Sequence, residues 1–339
     1  MATIKDVARI SGVSISTVSI VLNGKAEERR ISKKTQEEVL SVVKQLNYKP
    51  NISAKKLRSN NRHSYTVALY WAVSFRPNLL GRFLEGVQQE LLKKNSQYEY
   101  DIVICPYEID KLYLEKGLKT ASMFSAAIIV ASSESDMKYL ESLESLIPIV
   151  LVNRYSEKYH TVGIDNFLAG AKAGNLFLSK GYKEVGAIYY TDAYLAISER
   201  NEGFTNFCKE NNIQIPKEYT FFTDNSLEGG VDAAKKFLQL EKRPSAIYCD
   251  SDSIAMGAVY YFNKNGLKIP EDLEIICIGM ERKEVTQYCT PSLSVVDVPL
   301  EKMASKCINL IEDVLEIGKE KLLHITYDSD LILRDSFQL

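Results

Sequence analysis

The residues of this 339-residue chain best suited to chemistry gather just beyond short apolar runs. Trp71 closes "TVALYW" and Phe75 follows it, Asn153 and Arg154 follow "PIVLV", Asp250, Ser251 and Asp252 follow "SAIYC", and Met280 and Glu281 follow "EIICIG". Planar aromatics with Asn, Asp, Glu and Arg suit a polyhydroxylated ligand, whose hydroxyls need paired donors and acceptors while its ring face stacks. Structural alternatives stand beside this reading: Asp252 as a helix cap, Arg154 as an ion-pair partner, Trp71 as packing between lobes. Catalytic patterns are missing. The sequence holds no GxxxxGK[ST] loop, no GxGxxG after a strand, no GxSxG elbow and no HExxH. His63, His160 and His324 are isolated, and no carboxylate pair is singled out as acid and base. Binding without turnover is expected, with no metal or cofactor.

A second group of residues lies near the start. "VSISTVSIVLN", Val13 to Asn23, sets small hydroxyl residues on an apolar frame. Net charge is −2 overall, but residues 1–62 carry 13 Lys and Arg against 5 Asp and Glu, a balance of +8, leaving −10 for the remainder. A phosphate-seeking module attached to an acidic body is implied.

These residues need elements to position them. Thr3-Ile-Lys-Asp6 fits a capping box, and Ser14 and Ser32 can cap two further helices. Apolar residues recur at helical spacing: Ile4, Val7, Ala8; Val18, Val21, Leu22; Val39, Val42, Val43, Leu46. Ala8, Gly12 and Val18 stand at the offsets that a tight helix-turn-helix crossing requires. Pro50 stops the third helix, and "NISAKKLRSNNRHS" reads as a polar, basic connector with a helix-compatible patch, Ile52–Arg58.

From Tyr65 onward, apolar strand candidates ("TVALYW", "DIVICP", "AAIIVA", "PIVLVN", "EVGAIYY", "SAIYCD", "EIICIG") alternate with helical segments such as Leu79–Lys94, Phe167–Lys180, Gly203–Asn211 and Ile254–Asn265. Continuous apolar strands followed by helices predict an α/β fold of parallel sheets covered on both faces. Seven such units divide best into two doubly wound lobes, with ligand at the carboxyl ends of strands. The start "MATIKDVARISG" lacks the features of a secretory signal and no apolar run reaches about 18 residues, so a cytoplasmic protein without membrane partners is expected. The six cysteines form no CxxC pair and read as buried free thiols.

"TIKDVARISGVSISTVSIVLNG", "VGIDN", "SERNEGF", "SDSIAMGA", "GLKIPEDLEIICIG" and "TPSLSVVDVP" together resemble the lactose-repressor/galactose-repressor (LacI/GalR) family of bacterial transcription regulators, in the family's order and over essentially the whole chain. The resemblance implies a helix-turn-helix DNA-binding domain at 1–50, a hinge helix and linker at 51–63, and an effector-binding and dimerisation core at 64–339. That core is related to periplasmic sugar-binding proteins. Its N-lobe is expected at about 64–162 and 293–321, its C-lobe at 163–292 and 322–339. A homodimer would place two recognition helices in successive major grooves of a near-palindromic operator on double-stranded DNA. Ile15, Ser16 and Ile20 match base-reading positions, and Thr17, Ser19 and Asn23 match positions near phosphates. Helix N-termini at Thr3 and Ser14 would add backbone donors. In the hinge, Asn51, Ala54, Leu57 and Arg58 match residues that enter the minor groove, with Leu57 as the wedge. The effector-binding residues implied are Trp71, Phe75, Leu79, Asn153, Arg200, Ser251 and Glu281. A small effector would shift the population competent for DNA.

Departures from the family pattern carry their own expectations. Ile20 stands where an Arg is common, which removes a bidentate guanine contact worth about 1–3 kcal/mol and suggests packing on a thymine methyl. The loop "GKAEERRIS" is longer than usual, so Arg29 and Arg30 become candidates for compensating phosphate contacts. Ser251 replaces the usual Asn, Glu281 the usual Asp, and Leu79 and Leu80 stand at positions often aromatic. The expected function is a non-enzymatic repressor of carbohydrate-utilisation genes controlled by a small sugar. The alternative is a regulator with a nucleobase, nucleoside or phosphorylated metabolite as corepressor, and behind it a sugar-binding protein or an enzyme of the cleft. No leucine-heptad tail follows "LRDSFQL", so a dimer is expected over a tetramer.

Overall fold

The computed structural model describes residues 3–46, 48, 64–93, 98–191, 195–318 and 321–338. Three helices open the chain: α1 Ile4–Ile10, α2 Ile15–Leu22 and α3 Lys33–Gln45. Their starts are chemical. Thr3 and Asp6 complete the expected capping box, and the Ser14 and Ser32 hydroxyls accept from the amides of Thr17 and Thr35. Gly12 turns the chain between α1 and α2 at φ +67°, a conformation that β-carbon sterics make costly for other residues. Val7, Ala8, Val18, Val21, Leu22, Ala26, Val39, Val42, Val43 and Tyr48 close one small core. The expected hinge helix Ile52–Arg58, with Asn51, Ala54, Leu57 and Arg58, lies outside the described residues, as do Pro50 and His63.

Two six-stranded sheets follow. The first holds β1 Ser64–Ala72, β2 Glu99–Tyr107, β3 Ala126–Val130, β4 Ile149–Val152, β5 His160–Ile164 and β11 His324–Tyr327, in the order β2-β1-β3-β4-β5-β11. The second holds β6 Gly186–Tyr190, β7 Thr220–Thr223, β8 Ala246–Cys249, β9 Glu274–Gly279, β10 Ser294–Asp297 and β12 Asp330–Ile332, in the order β7-β6-β8-β9-β10-β12. Central strands such as β3 and β9 are buried along their whole length, as parallel strands covered on both faces must be. β12 is antiparallel to β10 at the second sheet's edge. Both sheets reverse their order of addition beside their first strand, between β1 and β3 and between β6 and β8. These are the switch points where doubly wound folds leave a crevice.

The helices of this region are α4 Pro77–Lys93, α5 Glu134–Ser142, α6 Asn166–Ser179, α7 Leu195–Glu210, α8 Leu227–Leu238, α9 Asp252–Lys264, α10 Lys283–Gln287 and α11 Leu300–Glu312. Compact unit 1 comprises Met1–Phe75, Gln88–Thr161 and Ser305–His324; unit 2 comprises Arg76–Val87, Val162–Ala304 and Ile325–Leu339.

Three expectations need correction. α7 begins at Leu195, eight residues before the expected Gly203, because Gly203 is an interior contact and not a helix start. The chain does not leave the second sheet near residue 292, since β10 hydrogen-bonds to β9 and β12 there. Nor does it leave the first near 322, since β11 is a strand of that sheet. His160 and His324 serve this edge: His160 Nδ1 accepts from the Leu323 amide at 3.1 Å, and His324 Nδ1 lies 3.0 Å from the Thr161 hydroxyl.

Candidate functional site

In the three-helix domain, Val18, Val21 and Leu22 bind α2 to the core and leave the opposite face outward. Ser14, Ile15 and Ser16 are exposed, while Thr17, Ser19, Ile20 and Asn23 are half-buried. The Thr17 hydroxyl lies 2.8 Å from the Ser14 hydroxyl, and Asn23 Nδ2 donates to Ser19 Oγ at 3.2 Å, so the polar groups of this face are held by one another. Thr3 is exposed and tied to Asp6, its amide and hydroxyl donating to Asp6 Oδ2 at 2.9 and 2.7 Å. Arg29 and Arg30 are exposed in the loop after α2, whose frame is set by Ala26 in the core and by the Ile31 amide donating to the Ala26 carbonyl at 2.8 Å. Arg30 has φ +53°. Hydroxyls, an aliphatic side chain and guanidinium groups on one exposed module can grip phosphates and meet base edges.

In unit 1, Trp71 ends β1 with only 4% of its surface exposed, and its indole Nε1 donates to the Phe75 carbonyl at 3.1 Å. The Trp71 and Phe75 rings are 5.4 Å apart. Asn153, just past β4, has φ +57°, and its carbonyl accepts from Arg154 Nη1 at 2.6 Å. Arg154 is buried and donates to the Ser132 carbonyl at 2.6 Å, a structural role.

Unit 2 gathers the polar residues. Arg200 of α7 is 3% exposed; its Nε donates to Asn166 Oδ1 at 3.0 Å and its Nη1 meets only the Met280 sulfur, at 3.9 Å. No carboxylate lies within ion-pair distance of Arg200 among the described residues. Burial, with a smaller push from Arg76, draws its pKa down to about 10, partly offset by Tyr248, Asp250 and Glu199, and it stays protonated at neutral pH. Glu281 Oε1 accepts from Arg76 Nη2 at 2.7 Å and also from Asn78 Nδ2. Asp252 is wholly buried: it takes Arg76 at 3.0 Å on Oδ1 and the Met280 and Glu281 amides on Oδ2, fixing the loop after β9.

Two assigned positions turn out structural. Ser251, and not Asp252, caps α9, and its hydroxyl lies 2.6 Å from Asn225 Oδ1. Leu79 has no exposed surface and is part of the core, because its place in the first turn of α4 faces inward.

Asp250, one of the residues expected beyond the strand ends, gathers two neighbours that sequence reasoning missed, Asn201 and Tyr248. Asp250, 1% exposed at the switch point between β6 and β8, accepts on Oδ2 from the Tyr190 amide at 2.7 Å and from Asn201 Nδ2 at 3.2 Å. Its Oδ1, the Asn201 Oδ1 and the Tyr248 hydroxyl are all buried without a hydrogen-bond partner. The signal was the spacing of Tyr248, on β8, and Asp250, one residue past its end, two apart and so on one face of an extended chain. Burial raises the Asp250 pKa to about 6, against the pull of Tyr190, Asn201, Arg200 and Arg76. The folded carboxyl therefore holds its proton more tightly than the unfolded one. Its contribution to stability is full below about pH 4, fades between pH 4 and 6, and is gone above. Replacing Asp250 with Asn should remove a decline on the order of 2–3 kcal/mol between pH 4 and 7. Urea melts of both proteins across that range would check it; parallel curves would show that the folded pKa is ordinary.

Comparison with known proteins covers both parts of the chain. A family model for bacterial regulatory proteins of the lacI family matches residues 3–51, and one for a periplasmic binding protein-like domain matches residues 175–337. The crystal structure of a LacI family transcription regulator from Clostridium acetobutylicum is 43% identical, with a TM-score of 0.77 over 80% of this chain and 99% of that one. The curated "Probable HTH-type transcriptional repressor ExuR" of Bacillus subtilis (strain 168) is 29% identical, covering 99% of this chain and 98% of that protein. A complex of the transcriptional regulator CelR with cellobiose shares the fold at 20% identity, with a TM-score of 0.68 over 99% of this chain and 100% of that one. With the helix-turn-helix module, the doubled parallel sheets and these relatives taken together, the chain belongs to the LacI family of bacterial regulatory proteins.

Proposed function

We propose that this transcription regulator represses carbohydrate-utilisation genes as a homodimer on a near-palindromic operator, and that a small sugar controls its hold on DNA. The observation that carries the DNA half is the outward face of α2, where Ser14, Ile15 and Ser16 stand exposed on a fully closed core. Ile15, Ser16 and Ile20 read bases, Thr3, Ser14, Thr17, Ser19, Asn23, Arg29 and Arg30 meet phosphates, and Asn51, Ala54, Leu57 and Arg58 enter the minor groove. Half-burial of Ile20 leaves part of its side chain for a thymine methyl; operator variants lacking thymine at the facing position should bind several-fold more weakly. For the effector, Arg200 and Glu281 are the recognising groups of unit 2. The cellobiose complex of a protein with this fold supports a sugar. No helix among the described residues is long and apolar enough to cross a membrane, and membership of a family of DNA-binding regulators supports a cytoplasmic location.

Sequencing genomic fragments retained by the purified protein, with and without a panel of sugars, tests the reading. A near-palindrome beside sugar transport or glycosidase genes, released by one sugar, is expected. Retention only when a purine or phosphorylated metabolite is added would replace the sugar reading with the corepressed one.

Arg30 offers a sharper test. At φ +53° a non-glycine residue carries about 1–2 kcal/mol of strain, which Arg30→Gly relieves. The variant should be as stable as the parent or up to about 1 kcal/mol more so. It should bind operator more weakly, with the salt dependence of log K reduced by about 1. Unchanged affinity and salt slope in a binding titration would take Arg30 out of the interface.

A further inference from the structure

The unsatisfied groups of unit 2 specify a ligand more narrowly than "sugar". Two oxygens that can only accept while Asp250 is ionised, Asp250 Oδ1 and Asn201 Oδ1, are buried with nothing donating to them, and the Tyr248 hydroxyl is buried without a partner. Beside them, Arg200 presents a buried guanidinium whose Nη1 lies 3.9 Å from the Met280 thioether and which has no carboxylate within ion-pair distance among the described residues. Their placement is fixed. Asn201 adjoins Arg200 on α7, Asn201 Nδ2 grips Asp250 Oδ2 at 3.2 Å, and Tyr248 stacks on Phe204 of the same helix at 4.1 Å and 19°. Unmet buried polar groups cost about 1–3 kcal/mol each, so a ligand that meets them gains what the unliganded fold forgoes.

The complement follows from donor and acceptor counts. Orphaned acceptors need hydrogens, and the guanidinium needs lone pairs. A hydroxyl supplies both, and two adjacent hydroxyls can serve Asp250, Asn201 and Arg200 together. A carboxylate or phosphate has lone pairs for Arg200 but no hydrogen for the two acceptors, and it brings negative charge against Asp250. A purely donating group leaves Arg200 unanswered. We propose that Asp250 and Asn201, with Arg200 and Tyr248, form a specificity site for the vicinal hydroxyls of an uncharged saccharide and reject the corresponding sugar acids and sugar phosphates. This rests on the sugar reading above and adds residues and a charge class to it.

The test uses the full-length protein and matched triplets: glucose, galactose and ribose, each with its uronic or aldonic acid and its terminal phosphate, together with cellobiose and cellobionate. Thermal shift finds the set that binds, and calorimetry gives the affinities. In the binding set, the neutral sugar should bind at least 30-fold more tightly than its acid or phosphate. Asp250→Asn should shrink that ratio at least five-fold, and Asn201→Ala should weaken the neutral sugar about ten-fold. Because the ratio is read within one protein, partial unfolding of a variant cannot imitate the change, and the wild-type triplet decides even where a variant fails to fold. An acid or phosphate that binds as tightly as its neutral partner overturns the specificity site, as does a ratio untouched by Asp250→Asn. Binding of no saccharide, with a shift from a purine or nucleoside instead, overturns the sugar reading itself.

Discussion

Replacing Arg82 with Met should destabilise unit 2 by about 3–5 kcal/mol, a larger loss than any surface substitution would give. Arg82 is 1% exposed on α4, and its guanidinium is fully used. Nε and Nη2 hold the Glu301 carboxylate of α11, the latter at 2.8 Å, Nη1 donates to the Met280 carbonyl at 2.9 Å, and Nη2 reaches Asp297 Oδ1 at 3.4 Å. Met fills the volume of the aliphatic stem but leaves Asp297, itself 2% exposed, with only Lys283 at 3.3 Å, and leaves Glu301 partly buried. Removing one partner of a buried pair strands the other charge, which is why the loss exceeds the net worth of the pair. At about 2–4 °C per kcal/mol for a domain of this size, the melting temperature should fall by roughly 6–20 °C. Arg82→Lys keeps the charge but not the fork, and should fall between. Since the Met280 carbonyl sits one residue before Glu281, sugar affinity should drop in both variants. A loss below about 1 kcal/mol for Arg82→Met would mean that Lys283 and solvent satisfy Asp297 unaided.

Gly203→Ala should be nearly as damaging, for a steric reason. α6 and α7 cross where each offers a glycine: a β-carbon on Gly203 would lie 1.9 Å from the Phe167 carbonyl oxygen, and one on Gly170 would lie 1.8 Å from the Arg200 carbonyl oxygen. Backbone cannot rotate away as a side chain can, so the helices must part by more than an ångström and lose packing along their length. Overpacking costs about 1–3 kcal/mol and occasionally more, and the roughly 1 kcal/mol by which Ala favours a helix over Gly offsets part of it. With a backbone clash at the upper end of that range, a net loss of about 2 kcal/mol is expected, and effector affinity should fall with it if α7 carries the site. Gly81, on α4, supplies the control. Nothing lies within 4 Å of a β-carbon there, so Gly81→Ala should be neutral or stabilising by up to about 1 kcal/mol. Melting curves of the two variants decide it, and equal behaviour would refute the close crossing.

The helix starts were legible because a cap is a local event. Thr3, Ser14 and Ser32 each satisfy an amide within three residues, so hydroxyl and carboxyl spacing in the chain is enough to find them. β5, β7, β10, β11 and β12 were not legible. "TFFT" and "HITY" are short and mixed in polarity, and they are strands only because a neighbouring strand offers hydrogen bonds. Gly203 misled for a related reason: glycine in a sequence reads as a break, and only the approach of a second helix makes it an interior contact.

The chain by itself determined the three-helix DNA-binding module, the alternation of strands and helices, and the charge split between the two ends, since all three are set by residue types and by neighbours one to four positions away. It also offered Arg200 and Glu281 as candidate site residues. Tertiary structure alone decided which groups are spent and which are free. Ser251 is consumed as a cap and Leu79 in the core, and Glu281 commits one oxygen to Arg76 and Asn78, while Asp250, Asn201 and Tyr248 keep unmet hydrogen-bonding capacity near Arg200, which Asn166 holds through Nε. A side chain's type fixes what it can bond. Whether that capacity remains for a ligand depends on burial and on partners brought from 50 to 200 residues away, and no spacing in the sequence encodes those.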